Sequence, residues 1–196
     1  MKYPQNIADV LALKPQMMGF IFYPKSSRFV DVDTLQAVKK LSFDTTQKVG
    51  VFVNETAQNI SQIAKQWGLD VVQLHGNETP EFAHHLRKKY KVIKALGIET
   101  SNDLAQIALF KNYCDFILLD KKSPQHGGTG IAFNWHLLNN QHFDTPIILS
   151  GGVSVDNMAN LPQNCQNLVG IDVNSRFETQ PALKDTAMLA KLMANF

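Results

Sequence analysis

Short apolar runs rich in β-branched residues alternate with amphipathic stretches from Met17 to Val173, and no Pro/Gly/Ser-rich linker interrupts them. The alternation is the βα signature of a parallel sheet, because a parallel connection needs a crossover long enough to hold a helix. Seven runs qualify as strands: residues 17–22, 49–53, 71–75, 92–96, 116–120, 147–150 and 169–173. They are nearly continuous in apolar side chains, the pattern of strands covered on both faces. Ile60, Ile63, Ala64 and Trp67 fall at i, i+3, i+4 and i+7, which predicts a helix with one buried stripe. Thr79-Pro80-Glu81 reads as an N-cap followed by proline in the first turn, and residues 101–104 offer another polar helix start. Leu189, Leu192 and Met193 repeat the helical spacing near the C-terminus.

The first element separates an open doubly wound sheet from a closed barrel. Ile7, Val10 and Leu11 after Pro4 form a helical stripe, so the chain opens on a helix, and eight helices accompany seven strands. A (β/α)8 barrel pairs eight strands around a ring. The expected fold is therefore a single-domain TIM (β/α)8 barrel over residues 1–196 that lacks strand 1 in this chain.

The balance of 19 Lys and Arg against 17 Asp and Glu, a formal charge of +2, excludes the strongly basic profile of a nucleic-acid binder. The run Arg87, Lys88, Lys89 with Lys91 reads as the solvated end of a helix. Only two cysteines occur, Cys114 and Cys165, and there is no secretory leader or long apolar run. The expectation is a cytoplasmic protein with no membrane partner.

Barrel enzymes keep their active sites at the C-terminal ends of the strands. Arg28 follows the first predicted strand, His75 ends the third, Asp120 ends the fifth and Asp172 lies at the end of the seventh. Any one of these has an ordinary structural explanation, such as capping the next helix; four at one mouth form a candidate site. Gly151-Gly152 after the sixth strand and Asn174-Ser175 after the seventh occupy the loops that commonly bind phosphate through backbone N–H groups. Gly127-Gly128-Thr129-Gly130 lacks the spacing and the Lys-Ser/Thr pair of a Walker A loop and reads as an active-site cover.

Val51-Phe52-Val53-Asn54, Val72-Gln73-Leu74-His75-Gly76, Leu118-Leu119-Asp120, the 127–130 glycine loop with Phe133 and Trp135, Ser150-Gly151-Gly152-Val153 and Gly170-Ile171-Asp172-Val173-Asn174-Ser175 resemble, in order, the motifs of the phosphoribosylanthranilate isomerases. With Gly19-Phe20-Ile21-Phe22 through Arg28 and the closing Lys184-Asp185, the resemblance covers nearly the whole chain. It implies an Amadori rearrangement of a small-molecule substrate, phosphoribosylanthranilate, in tryptophan biosynthesis, with no cofactor, no metal, and a monomer or homodimer as the working unit. By resemblance Asp120 is the general acid, and its pKa would have to be raised by burial or a nearby anion. Arg28 matches the residue that binds the anthranilate carboxylate, His75 and Asp172 match substrate-contacting positions, and Gly151, Gly152, Asn174 and Ser175 would cradle the phosphate. Ser27, Ile131, Asn134 and Arg176 depart from the family's usual Pro, Lys, Asp and Gly; none removes a proposed reacting group.

The family's general base is a Cys ending the first strand in a Lys-x-Cys-Gly-type motif, and that strand is expected upstream of Met1. Cys114 and Cys165 precede the fifth and seventh strands, about 15 Å from the mouth at a rise of about 3.3 Å per residue. Taken literally, the chain would be inactive or weakly active. Rival expectations are another phosphate-handling barrel, such as an indole glycerol phosphate synthase using Lys94 or a pentose phosphate epimerase, and a non-catalytic sugar-phosphate binder.

Overall fold

The computed structural model describes residues 1–122 and 132–194. Seven strands form one sheet in sequence order: β1 (Met17–Ile21), β2 (Gln47–Phe52), β3 (Val71–Leu74), β4 (Lys91–Ile98), β5 (Phe116–Lys121), β6 (His142–Leu149) and β7 (Gln166–Ile171). Every pairing between them is parallel. This is the TIM-type sheet expected, with seven of eight strands. β1 and β7 each have one neighbour among the described residues, and Val169 on β7 is 52% exposed.

The α-helices are α1 (Pro4–Leu11), α2 (Val32–Val38), α3 (Ala57–Trp67), α4 (Pro80–Arg87), α5 (Gln106–Phe110) and α6 (Thr186–Met193). Thr56 and Thr79 cap α3 and α4 through their hydroxyls, and Gly68 ends α3 at φ 61°. After β5 and β6 the described chain carries 3-10 turns, Trp135–Leu138 and Val155–Asn160, rather than α-helices. Local polar side chains hold these turns: Asn134 accepts from the His136 amide, and Asn157 bonds back to Ser154 and Gly152. A ribbon of β8 (Glu178–Gln180) and β9 (Leu183–Lys184), not expected from the sequence, precedes α6. No described helix is long and apolar enough to cross a membrane.

Alternation along the strands separates two layers. Val49, Val71, Ile93, Ala95 and Leu118 form a small cluster on the inner face of the sheet. Phe20, Phe52, Leu74, Leu96, Ile117 and Leu119 point the other way, into the larger core beneath the helices. There Phe22 stacks on Phe52 at 5.2 Å and meets Trp67 edge-on at 4.9 Å, locking α3 against β1 and β2.

Lys94 lies between inward-facing Ile93 and Ala95, so it points outward, away from the inner face. Its Nζ donates to the carbonyls of Leu74 (3.3 Å) and Gly76 (2.7 Å) and to Glu78 Oε2 (3.0 Å). Glu78 in turn accepts the amides of Asn54 and Gly76. Both side chains are under 5% exposed. Burial lowers the Lys94 pKa while Glu78 opposes that shift. The pair thus ties the loops after β2 and β3 together from behind. The helix-end reading of the basic run holds for Lys88 and Lys89, which are exposed, but Arg87 is engaged: it pairs with Asp115 and donates to the Asn112 carbonyl.

Removing one partner strands a buried charge. Glu78→Ala is expected to lower unfolding free energy by about 3–5 kcal/mol in denaturant titration, and adding Lys94→Met should recover much of the loss.

Candidate active site

Because the strands are all parallel, their C-terminal ends open on one rim. His75 directly follows β3, Asp120 is the second-to-last residue of β5, Ser150 follows β6 and Asp172 follows β7. His75 Nε2 lies 3.5 Å from Asp120 Oδ2, both side chains being largely shielded. On the other side of the ring, Gln73 Nε2 lies 3.1 Å from His75 Nδ1. Gln73 is buried in β3, so the contact holds the ring from within the sheet with its Nε2 edge turned to Asp120.

Asp120 Oδ1 accepts from the Lys121 amide at 2.8 Å. Gly151 packs so closely here that a Cβ on it would fall 2.9 Å from Asp120 Oδ1 and 2.8 Å from Lys121 N. Its φ of 76° independently favours glycine, and Gly152 continues at 74°. Asp172 accepts from Ser150 Oγ at 2.9 Å. Asp172 is open to solvent yet sits deep in the rim, with protein crowded around it. That crowding, and then the charge of Asp120, raise its pKa above the ordinary 3.8 against the pull of Ser150. The surroundings of Asp172 thus favour its protonated form.

Arg28 reaches the rim because the loop after β1 doubles back: Val30 donates to the Ile21 carbonyl, Phe29 bridges Ile21, and the Arg28 amide donates to Ser26 Oγ. Its guanidinium is already engaged. Nε and Nη2 grip Glu178 at 2.7–3.1 Å, and Lys184 Nζ binds the same carboxylate at 3.0 Å. Lys184 also donates to the carbonyl and side-chain oxygen of Asn174, at 3.0 and 2.6 Å. Burial would raise Glu178, but hydrogen bonds and charge from Arg28 and Lys184 prevail and hold it below the usual carboxylate range. Among the described residues, no backbone hydrogen bond uses the amides of Gly151, Gly152, Asn174 or Ser175.

All eight residues proposed from the sequence thus lie on one rim, in two neighbouring groups. Gln73 and Glu178 were missed. Gln73 sits inside an apolar strand, and Glu178 lies in a stretch without periodicity; a buried amide two residues before a histidine was the one usable signal. Phe133 and Trp135 are buried and anchor the chain after the glycine loop. The 127–130 loop and Ile131 lie outside the described residues.

The family model described as N-(5'phosphoribosyl)anthranilate (PRA) isomerase matches residues 2–195. The chain belongs to the phosphoribosylanthranilate isomerase family. Among curated phosphoribosylanthranilate isomerases, that of Parabacteroides distasonis is 41% identical over 94% of this chain and 85% of its own length. That of Staphylococcus haemolyticus is 37% identical, covering 90% and 87%. The crystal structure of the Thermotoga maritima phosphoribosyl anthranilate isomerase superposes with a TM-score of 0.88 at 29% identity, covering all of this chain and 94% of that one. A phosphoribosyl anthranilate isomerase in complex with reduced 1-(o-carboxyphenylamino)-1-deoxyribulose 5-phosphate aligns with a TM-score of 0.83 at 26% identity, covering 98% and 93%. The synthase and epimerase alternatives give way to this match. Lys94, on which the synthase alternative leaned, faces the helices rather than the inner face of the sheet.

A raised folded-state pKa means that the native protein holds the Asp172 proton more tightly than the unfolded chain. Stability therefore falls as pH rises from 3.8 through the raised value. Asp172→Asn escapes this loss. Because Asp172 stays exposed to water the effect is screened, so the variant's melting temperature should exceed the parent's only slightly near neutral pH, with the gap closing below about pH 4.

Proposed function

We propose that this rim carries out the Amadori rearrangement of N-(5-phosphoribosyl)anthranilate to 1-(2-carboxyphenylamino)-1-deoxyribulose 5-phosphate. The observation that carries the proposal is the convergence of a carboxyl pair, a paired arginine and two loops of unused backbone amides on one edge of a parallel sheet. The phosphate would sit on the amides of Gly151, Gly152, Asn174 and Ser175, and the anthranilate carboxylate on Arg28. Asp120 would protonate the ring oxygen, so that it leaves C1 as a hydroxyl while the C1–N bond becomes an iminium. Loss of the C2 proton then gives an enolamine, which tautomerises to the ketone.

The raised pKa of Asp172 favours a second assignment, in which it shares or takes the acid role. Comparing the two asparagine variants separates the assignments.

The base is a separate matter. Cys114 is buried, donates to the Phe110 carbonyl, and is pushed up to about 11 by burial; it lies before β5. Cys165 precedes β7 at the far end of the strands. Neither is placed to take the C2 proton. Among the described residues β1 and β7 are the terminal strands of the sheet, with Met1 and Val30 bonded to Gly19 and Ile21 of β1; an eighth strand would pair at these edges, and a thiol at its end would join this rim.

Extending the chain upstream by about ten residues, an apolar strand ending in Cys-Gly, is expected to raise the melting temperature and to give product, followed by chromatography. In that extended chain Asp120→Asn should lower kcat by about 100-fold or more, and Asp172→Asn by less. The reverse order would move the acid role to Asp172. Binding without turnover in the extended parent would leave a sugar-phosphate binder in place of the isomerase.

A further inference from the structure

Two cations, Arg28 and Lys184, converge on one carboxylate, Glu178, whose side chain is only 3% exposed. A buried carboxylate with four hydrogen-bond donors around it, counting the Ala182 amide, is held in one place. The grip on Arg28 is one-sided. Glu178 takes the Nε and Nη2 edge of the guanidinium, which leaves Nη1 and the second Nη2 hydrogen forming a fork that points away from it. The charge balance points the same way. One negative and two positive charges leave a net positive trio, so Glu178 fixes the arginine without cancelling the site's attraction for an anion. Through Lys184 the same carboxylate reaches the Asn174 carbonyl and side chain, and with them the loop of free amides.

We propose that Glu178 is a positioning residue: it presents the outer fork of Arg28 to the substrate's aromatic carboxylate and, through Lys184, fixes that fork relative to the phosphate loop. The inference rests on the isomerase function proposed above. It assigns selectivity for the carboxylated amine to a side chain that touches no substrate.

The test uses the chain as it stands and two probes: reduced 1-(o-carboxyphenylamino)-1-deoxyribulose 5-phosphate and the same compound without the carboxyl group. Calorimetry on the parent should show the carboxylated probe binding at least about tenfold tighter, a bidentate arginine contact being worth that much. In Glu178→Gln the carboxylated probe should weaken about tenfold while the other moves less than about threefold, so the selectivity ratio collapses. A merely structural glutamate would weaken both probes equally, and that result overturns the proposal. Tighter binding of the carboxylated probe also overturns it, because Glu178 would then be a competitor for Arg28. If the parent binds neither probe, the isomerase function fails first and the inference with it. Should Glu178→Gln not fold, Glu178→Asp keeps the charge but shortens the reach. It too should lose the ratio, and an unchanged ratio overturns the proposal.

Discussion

Everything at the rim depends on one constraint: the seven strands of the sheet run parallel and in sequence order. In such a sheet every connection must cross back behind the strands, so the loops that follow strands gather at one end and those that precede them at the other. His75, Asp120, Ser150 and Asp172 are far apart in sequence and become neighbours for this reason alone. The helices cover the outer face, where aromatic packing around Trp67 and the buried Lys94–Glu78 pair fix the loops after β2 and β3 from behind. The inner face needs only a small apolar cluster to support the site above it.

The site divides its charges by position. Asp120, Asp172 and His75 lie together on the rim, where the crowding of protein around Asp172, with the charge of Asp120 adding to it, favours its protonated form. Arg28 and Lys184 are joined by Glu178, which leaves a net positive group beside Asp172. Glycine at 151 allows the loop after β6 to pass directly over Asp120, which a side chain would block.

Much of this was legible in the sequence because burial on both faces leaves a plain trace. The strands read as continuous apolar runs, and Ile60, Ala64 and Trp67 marked α3 through their spacing. Strand-end polar residues stood out against those runs. Other features had no such trace. The polar start of β6, His142 to Asp144, hides half its length from an apolar pattern. Whether a segment becomes an α-helix or a 3-10 turn after β6 turns on the bonds Asn157 makes to Ser154 and Gly152. The role of Glu178 depends on contacts 150 positions away with Arg28, which local pattern cannot carry.

The most direct measurement is a crystal structure of the chain with reduced 1-(o-carboxyphenylamino)-1-deoxyribulose 5-phosphate bound. The expected result places the phosphate on the amides of Gly151, Gly152, Asn174 and Ser175, the ribulose carbons beside Asp120 and Asp172, and the carboxylate on the outer fork of Arg28. A phosphate seated elsewhere on the molecule, or a carboxylate directed away from Arg28, would contradict the assignment of this rim as the isomerase site.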